Sequence, residues 1–136
     1  MTVKGVVARF LITYILLLVA IGQVLHWIGI RSNEAMFIGM LIGSTLWPCM
    51  AFGWRNRRYF SSGEQRLTIA ILLLIDICIQ VLFGNVPLPG MSGLSLLDSL
   101  ARFGLLLILH AAVIAFFVNF AGKQLVKQGV LKAEQV

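Results

Sequence analysis

Charge is scarce in this chain. Only 12% of its 136 residues are Asp, Glu, Lys or Arg, about half of what a soluble domain carries. Five acidic residues and two histidines leave little material for hydrolytic chemistry. No nucleophile stands with a base and an orienting group, no glycine-rich phosphate loop precedes a helix, and no His pair has metal-ligand spacing. We therefore expect no enzyme, no cofactor and no bound metal. Cysteine is equally sparse. Cys49 and Cys78 fall in separate apolar runs at different depths, which argues against a disulfide and for two small buried hydrophobes. A basic stripe with interleaved aromatics is also missing, so the net charge of +6 does not point to nucleic acid.

What the chain does have is apolar length. Hydrophobic residues make up 60%, and they gather in four runs: Val6 to Ile30, Met36 to Trp54, Leu67 to Phe83 and Ala101 to Gly122. Each approaches or exceeds the roughly 20 residues that carry a helix across a bilayer. None alternates as a barrel strand would. The expected fold is all-α: an integral membrane protein whose residues 1–136 form a single domain of four transmembrane helices in an antiparallel bundle. Lys4, Arg9 and the small-residue triplet Ala20-Ile21-Gly22 resemble parts of a signal peptide. The run continues through Trp27 to Ile30, too long for such a peptide, so a retained span is expected.

The connections carry their own signals. Ile30 to Ala35 reads as a tight turn between neighbouring helices. Ser61-x-x-Glu64 and Ser62-x-x-Gln65 are overlapping capping boxes for the third span. Pro87, Pro89, Gly90 and Gly93 exclude a continuous helix between the third and fourth spans. Residues 92–100 suit a short helix lying on the outer membrane surface, with Leu94, Leu96, Leu97 and Leu100 against lipid. The fourth helix is expected to run on as an amphipathic tail to Gln128, with Gly129 as its stop.

Basic residues are distributed unevenly across the spans. Lys4, Arg9, Arg55, Arg57, Arg58, Arg66, Lys123, Lys127 and Lys132 fall on one side, and Arg31 and Arg102 on the other. The positive-inside rule then places both termini and the Arg-rich connection in the cytoplasm. Arg55, Arg57, Arg58, Arg66, Lys123 and Lys127 are the candidates for gripping anionic lipid headgroups. His26, Trp27, Trp47, Trp54, Tyr59 and Phe60 read as interface anchors and packing residues.

Lipid provides no hydrophobic drive for helix association, so small and polar residues must supply the contacts. Gly39-x-x-x-Gly43 in the second span and the stripe Gly104, Ala111, Ala115, Gly122 in the fourth are candidate packing faces, either within the chain or in a homodimer. Pro48 deprives the Ser44 carbonyl of its usual donor. The Ser44 and Thr45 hydroxyls are positioned to resatisfy such groups.

One residue is out of place. Asp76 lies near the middle of the third run, where a carboxylate costs about 2.5 kcal/mol or more. It is nine residues into its span, and His110 is nine residues into the fourth from the opposite side. Both therefore fall near the midplane, where a carboxylate and an imidazole can offset each other's cost. Gln80 lies one turn from Asp76 on the same face, and Gln23 of the first span matches Gln80 in depth. Asp76, His110, Gln80 and Gln23 are thus expected to form one intramembrane polar seam. Three roles fit it: helix glue, a proton or cation path, and recognition of a partner in the bilayer.

The stretch Ala51-Phe52-Gly53-Trp54-Arg55, continuing through Arg57 to Ser62-Gly63-Glu64-Gln65-Arg66-Leu67, resembles a pattern in small four-span bacterial inner-membrane proteins. There a Gly-containing helix end is followed by basic residues and a Ser/Thr-x-x-Glu-type helix start; the pair Tyr59-Phe60 departs from that pattern. Some proteins of this kind are immunity partners of secreted membrane-active toxins, which the resemblance implies here. The chain is also similar in size to small multidrug resistance transporters, but its first span lacks their acidic residue. The expected function is binding of a protein partner in the bilayer, as an immunity factor against a membrane-inserting toxin. The alternative is a small proton- or cation-coupled transporter or channel subunit built on Asp76 and His110.

Overall fold

The computed structural model describes residues 1–29, 34–82 and 95–132, and among these the regular structure is entirely helical. Four helices follow in order: α1 (Val3–Ile28), α2 (Glu34–Asn56), α3 (Ser62–Leu82) and α4 (Leu96–Lys127). All four are long and apolar enough to cross a membrane. The shortest, α3 with 21 residues, spans about 31 Å at the α-helical rise. The expected turn at residues 30–33, the end of the third run at Phe83 and the Pro- and Gly-rich stretch to Gly93 lie outside the described residues.

Helix ends follow local chemistry. Gly29 at φ 69° closes α1 and Gly129 at φ 71° lies just beyond α4, both in the left-handed region that glycine enters freely. Arg57 takes φ 54° at the end of α2, an uncommon conformation for a residue with a Cβ. At the start of α3 the Ser61 backbone N–H donates to Glu64 Oε2 at 2.9 Å and the Glu64 N–H to Ser61 Oγ at 3.4 Å. This is the first of the two expected capping boxes. The second does not form, because Gln65 Nε2 donates instead to Asn119 Oδ1 on α4 at 2.8 Å.

The start of α4 corrects one expectation. Leu96 to Leu100 belong to the first turns of α4 itself and not to a separate surface helix. The reason is a cap that the hydrophobic pattern hides: Ser95 Oγ accepts from the Asp98 N–H at 3.1 Å. Helix formation then continues without interruption through the whole apolar run.

Each helix turns one stripe inward. Val6, Phe10 and Tyr14 recur every four residues on α1, and Thr68, Leu72, Asp76 and Gln80 do the same on α3; all are buried. On α4 the buried stripe is His110, Ile114, Val118, Ala121 and Leu125, the spacing of one helical face. Helix α2 is the most enclosed, packing on both α4 and α1, while α3 also touches α4 and α1. Tyr59 and Phe60, beyond the end of α2, are buried in this core as packing residues. Phe60 stacks on Phe52 at 4.1 Å between centroids, and the Tyr59 hydroxyl donates to the Val118 carbonyl.

Of the two expected roles for the small-residue stripes, packing within the chain is not seen at Gly39 or Gly104, though Gly122 is buried. A Cβ on Gly39 or Gly104 would meet nothing within 4 Å, and one on Gly43 would meet only Leu17, at 3.5 Å. Ala111 and Ala115 are half-buried, one residue round from the buried stripe of α4. The inward face was taken instead by larger residues that fill the space between helices. The close approach is at Gly53, where a Cβ would stand 2.2 Å from Leu125 Cδ1. Ser44 Oγ donates to the carbonyls of Met40 at 2.8 Å and Leu41 at 3.1 Å. The Thr45 hydroxyl is buried with no partner among the described residues. Cys49 is buried, but Cys78 is exposed because it lies two residues past Asp76, off the buried stripe of α3.

Gly53→Ala should therefore destabilise the protein by about 1–3 kcal/mol through overpacking against Leu125. Unfolding in mixed detergent micelles, with Leu125→Ala alone and combined, measures it. The double variant should lose less than the sum of the single losses. Strict additivity would show that the two residues do not meet.

Candidate functional site

Asp76 is fully buried, and three side chains from three helices reach its carboxylate. His110 Nδ1 of α4 lies 2.6 Å from Oδ2. The Tyr14 hydroxyl of α1 donates to Oδ1 at 2.9 Å. Gln80 Nε2, one turn along α3, donates to Oδ2 and Oδ1 at 3.3 and 3.4 Å. Tyr14, His110 and Gln80 are themselves buried, so the four side chains form one enclosed polar quartet.

The donor inventory fixes the direction of these bonds. An ionised carboxylate only accepts, and a phenol and a primary amide nitrogen both donate to it. A neutral imidazole has one N–H and one lone pair. With Nδ1 carrying the hydrogen, His110 becomes the third donor, and every bond at Asp76 points the same way. Gln80 Nε2 also approaches Nδ1, at 2.9 Å. Nδ1 has one in-plane position and Asp76 occupies it, so both nitrogens are donors converging on the same oxygen. His110 Nε2 remains, with no hydrogen-bond partner among the described residues.

Tyr14 is the member that sequence reading missed. Its signal was its place: a tyrosine at the twelfth residue of a 26-residue apolar helix is far from the membrane interfaces where tyrosine is usually found. Gln23 is the member wrongly included. It is exposed, and nine residues separate it from Tyr14. Nine helical steps turn about 180°, so Gln23 faces away from the quartet. Matching depth without matching azimuth placed it in the seam.

The basic residues also divide. Arg55, Arg57, Arg66, Lys123 and Lys127 are exposed. Arg58 is exposed as well but engaged: its two terminal nitrogens reach Glu64 Oε2 and Oε1 at 2.7 and 2.9 Å. Its guanidinium carbon stands 5.5 Å from the Phe52 ring centroid. Arg58 thus also braces the α2–α3 connection. Among the described residues, no group of three or more His, Cys, Asp or Glu is arranged to hold a metal ion.

Chemically, the quartet satisfies a buried carboxyl group and ties three helices together. Interhelical hydrogen bonds in membranes are worth about 0.6 kcal/mol on average and up to about 1.7 kcal/mol. A double-mutant cycle on Tyr14→Phe and Asp76→Asn should return a coupling in that range, read from unfolding in lipid–detergent micelles. A coupling near zero would mean that the phenol and the carboxylate do not act on each other. Comparison with protein-family models, curated proteins and solved structures gives no match, so the quartet is interpreted from its own chemistry.

Proposed function

We propose that this chain is a non-enzymatic protein of the bacterial inner membrane that acts by binding a protein partner within the bilayer, as an immunity factor against a membrane-inserting toxin. In this reading the four spans form an antiparallel bundle with both termini and the Arg-rich α2–α3 connection in the cytoplasm. The bias of basic residues toward that side supports the orientation. Reporter fusions at Val136 and Gly90 should give opposite compartment signals, and matching signals would overturn it.

The observation that supports partner binding is the outward stripe of α2. Gly39, Gly43, Trp47 and Trp54 are all exposed, at spacings that keep them on one helical face. The open space above Gly39 lets another helix approach the backbone closely, which is how helices associate in lipid. Trp47 and Trp54 meet edge-to-face at 6.0 Å beside it. The quartet, in contrast, spends its polar groups internally. A homodimer through the same stripe is the competing occupant.

Gly39→Leu separates these readings, because the substitution places bulk on the uncovered face at a position where a Cβ meets nothing within 4 Å. Cells exposed to a membrane-inserting toxin encoded beside this protein's gene, with and without this protein, provide the assay. Relief of membrane damage by the wild type, lost in Gly39→Leu, is the expected result. Damage unaffected by the wild-type protein would sink the immunity reading. Loss of self-association alone would favour the homodimer.

The second reading, a proton- or cation-coupled transporter, is favoured by the 2.6 Å contact of Asp76 with His110, since Asp and His are common relay residues in membranes. Vesicles loaded with a pH-sensitive dye decide it. Flux in the wild type that vanishes in Asp76→Asn would displace partner binding as the main function.

A further inference from the structure

The end of the molecule that carries the α2–α3 connection holds cations without counter-ions. Among the described residues there, the acidic side chain is Glu64 alone, and it is committed to Arg58 and to the Ser61 N–H. Arg66 of α3 and Lys123 of α4 are exposed at this end with no ion-pair partner among the described residues. The helices that carry them are tied together at the same level. Gln65 Nε2 donates to Asn119 Oδ1 at 2.8 Å, and Asn119 Nδ2 donates to the Ala115 carbonyl at 2.7 Å. A primary amide nitrogen has two hydrogens, and each of these uses one. The two spare hydrogens lie near the surface, because Asn119 is exposed and Gln65 half-buried.

Depth gives these donors their meaning. Gln65 is the fourth residue of α3, a helix whose length matches the hydrocarbon thickness. It therefore stands about 5 Å from the boundary where acyl chains give way to ester and phosphate groups. An N–H left without an acceptor against lipid is costly, and phospholipid oxygens are the acceptors at that level. Azimuth places both cations on the same edge. Arg66 stands fourteen residues before Gln80, within about 40° of it round the helix, and Gln80 approaches His110 of α4. Lys123 stands one turn beyond Asn119, again within about 40°. With Gln65 opposite Asn119, the two cations are about 7.5 Å apart along the axes. Residue numbers fall on α4 as they rise on α3, since Gln65 meets Asn119 and Asp76 meets His110. Side chains lean toward the N-terminus of their own helix, so Arg66 and Lys123 lean toward each other and close that offset. Deeper on the same face of α4, Phe116 is exposed and stacks on Phe120 at 6.1 Å between centroids. Arg55 and Arg57 lack such a setting: the amide between them, Asn56, spends its groups on the Met1 amino group and carbonyl.

We propose that this edge of the α3–α4 seam is a binding site for one anionic phospholipid. Arg66 and Lys123 hold the phosphate, the spare hydrogens of Gln65 and Asn119 meet the glycerol-ester oxygens, and Phe116 with Phe120 supports an acyl chain. Charge and hydrogen bonding select the same ligand. Two cations without a counter-ion call for a headgroup of net negative charge, and two spare donors call for oxygen acceptors. The phenylalanines separate a lipid from a free phosphate, since they offer contact only to an apolar tail. A lipid seated there bridges α3 and α4, the pair that also meets at Asp76 and His110. The site lies on other helices than the exposed face of α2 and is independent of partner binding there.

Native mass spectrometry of the full chain in detergent, titrated with phosphatidylglycerol or phosphatidylcholine, reads the occupancy of a single lipid. At about 0.15 M ionic strength, charges farther apart than about 8 Å are largely screened, so local contacts dominate the reading. The wild type should retain one phosphatidylglycerol and bind it more tightly than phosphatidylcholine. Arg66→Gln combined with Lys123→Gln should weaken that binding about thirtyfold, at about fivefold for each cation near the surface. Arg55→Gln combined with Arg57→Gln removes equal charge and should weaken it by less than about threefold. Lys123→Gln alone, with a loss of about fivefold, serves if the first pair fails to fold. No loss in the first pair, or equal losses in the two pairs, would overturn the site. So would equal binding of the two lipids by the wild type. Glycerophosphoglycerol, the headgroup without chains, should bind far more weakly than the whole lipid, and equally tight binding would overturn the lipid as occupant.

Discussion

A carboxylate held near the middle of four apolar helices dictates much of what surrounds it. Asp76 cannot face lipid without a cost of about 2.5 kcal/mol or more, and it cannot face a dry core without donors. Both conditions are met by the same side chains. Tyr14, Gln80 and His110 supply the donors, and because they come from α1, α3 and α4 they fix the rotation of those helices about their axes. Helix α2 gives none of these donors. It contributes the close packing at Gly53 and Leu125 instead.

The division of labour among the helices follows. Toward the α2–α3 connection, association rests on shape: the Phe52–Phe60 stack, the small residue at 53 and the buried stripe of α4. At the quartet it rests on directed hydrogen bonds. Packing alone specifies a helix interface loosely in lipid, where apolar side chains gain nothing by leaving the acyl chains. The hydrogen bonds give that interface a register. The Arg58–Glu64–Ser61 arrangement does similar work outside the core, since one carboxylate caps α3 and receives Arg58 from the connection.

Much of this was legible in the sequence. The number and approximate limits of the helices followed from apolar run length, and the meeting of Asp76 with His110 followed from counting residues inward from each span's start. Counting gives depth and says nothing of azimuth. That is why Gln23 was drawn in although it faces outward, and why Tyr14 was passed over although it stands one turn after Phe10 on a regular inward stripe. The glycines failed for a related reason. A small-x-x-x-small spacing shows that a helix can be approached closely, but not whether its own chain does the approaching. Gly39 is left open, while the isolated Gly53, with no motif to mark it, is where α2 and α4 meet. Ser95 was missed because the leucines around it suggested a surface helix, and its cap with Asp98 was not considered.

The asymmetry about the quartet bears on both functional readings. A pathway across the membrane needs polar or wet surroundings on each side of its central site, and here one side is filled by fully buried aromatic and aliphatic side chains. Moving a proton past Asp76 would require that half to open, separating Phe10, Leu72, Ile114 and Val118 from one another. Nothing comparable is required for binding at the outer face of α2, where Gly39 and Trp47 are exposed without rearrangement. The quartet and the packed half together hold the helices in place beneath that face. The buried carboxyl group thus sets the arrangement of the helices that carry that surface.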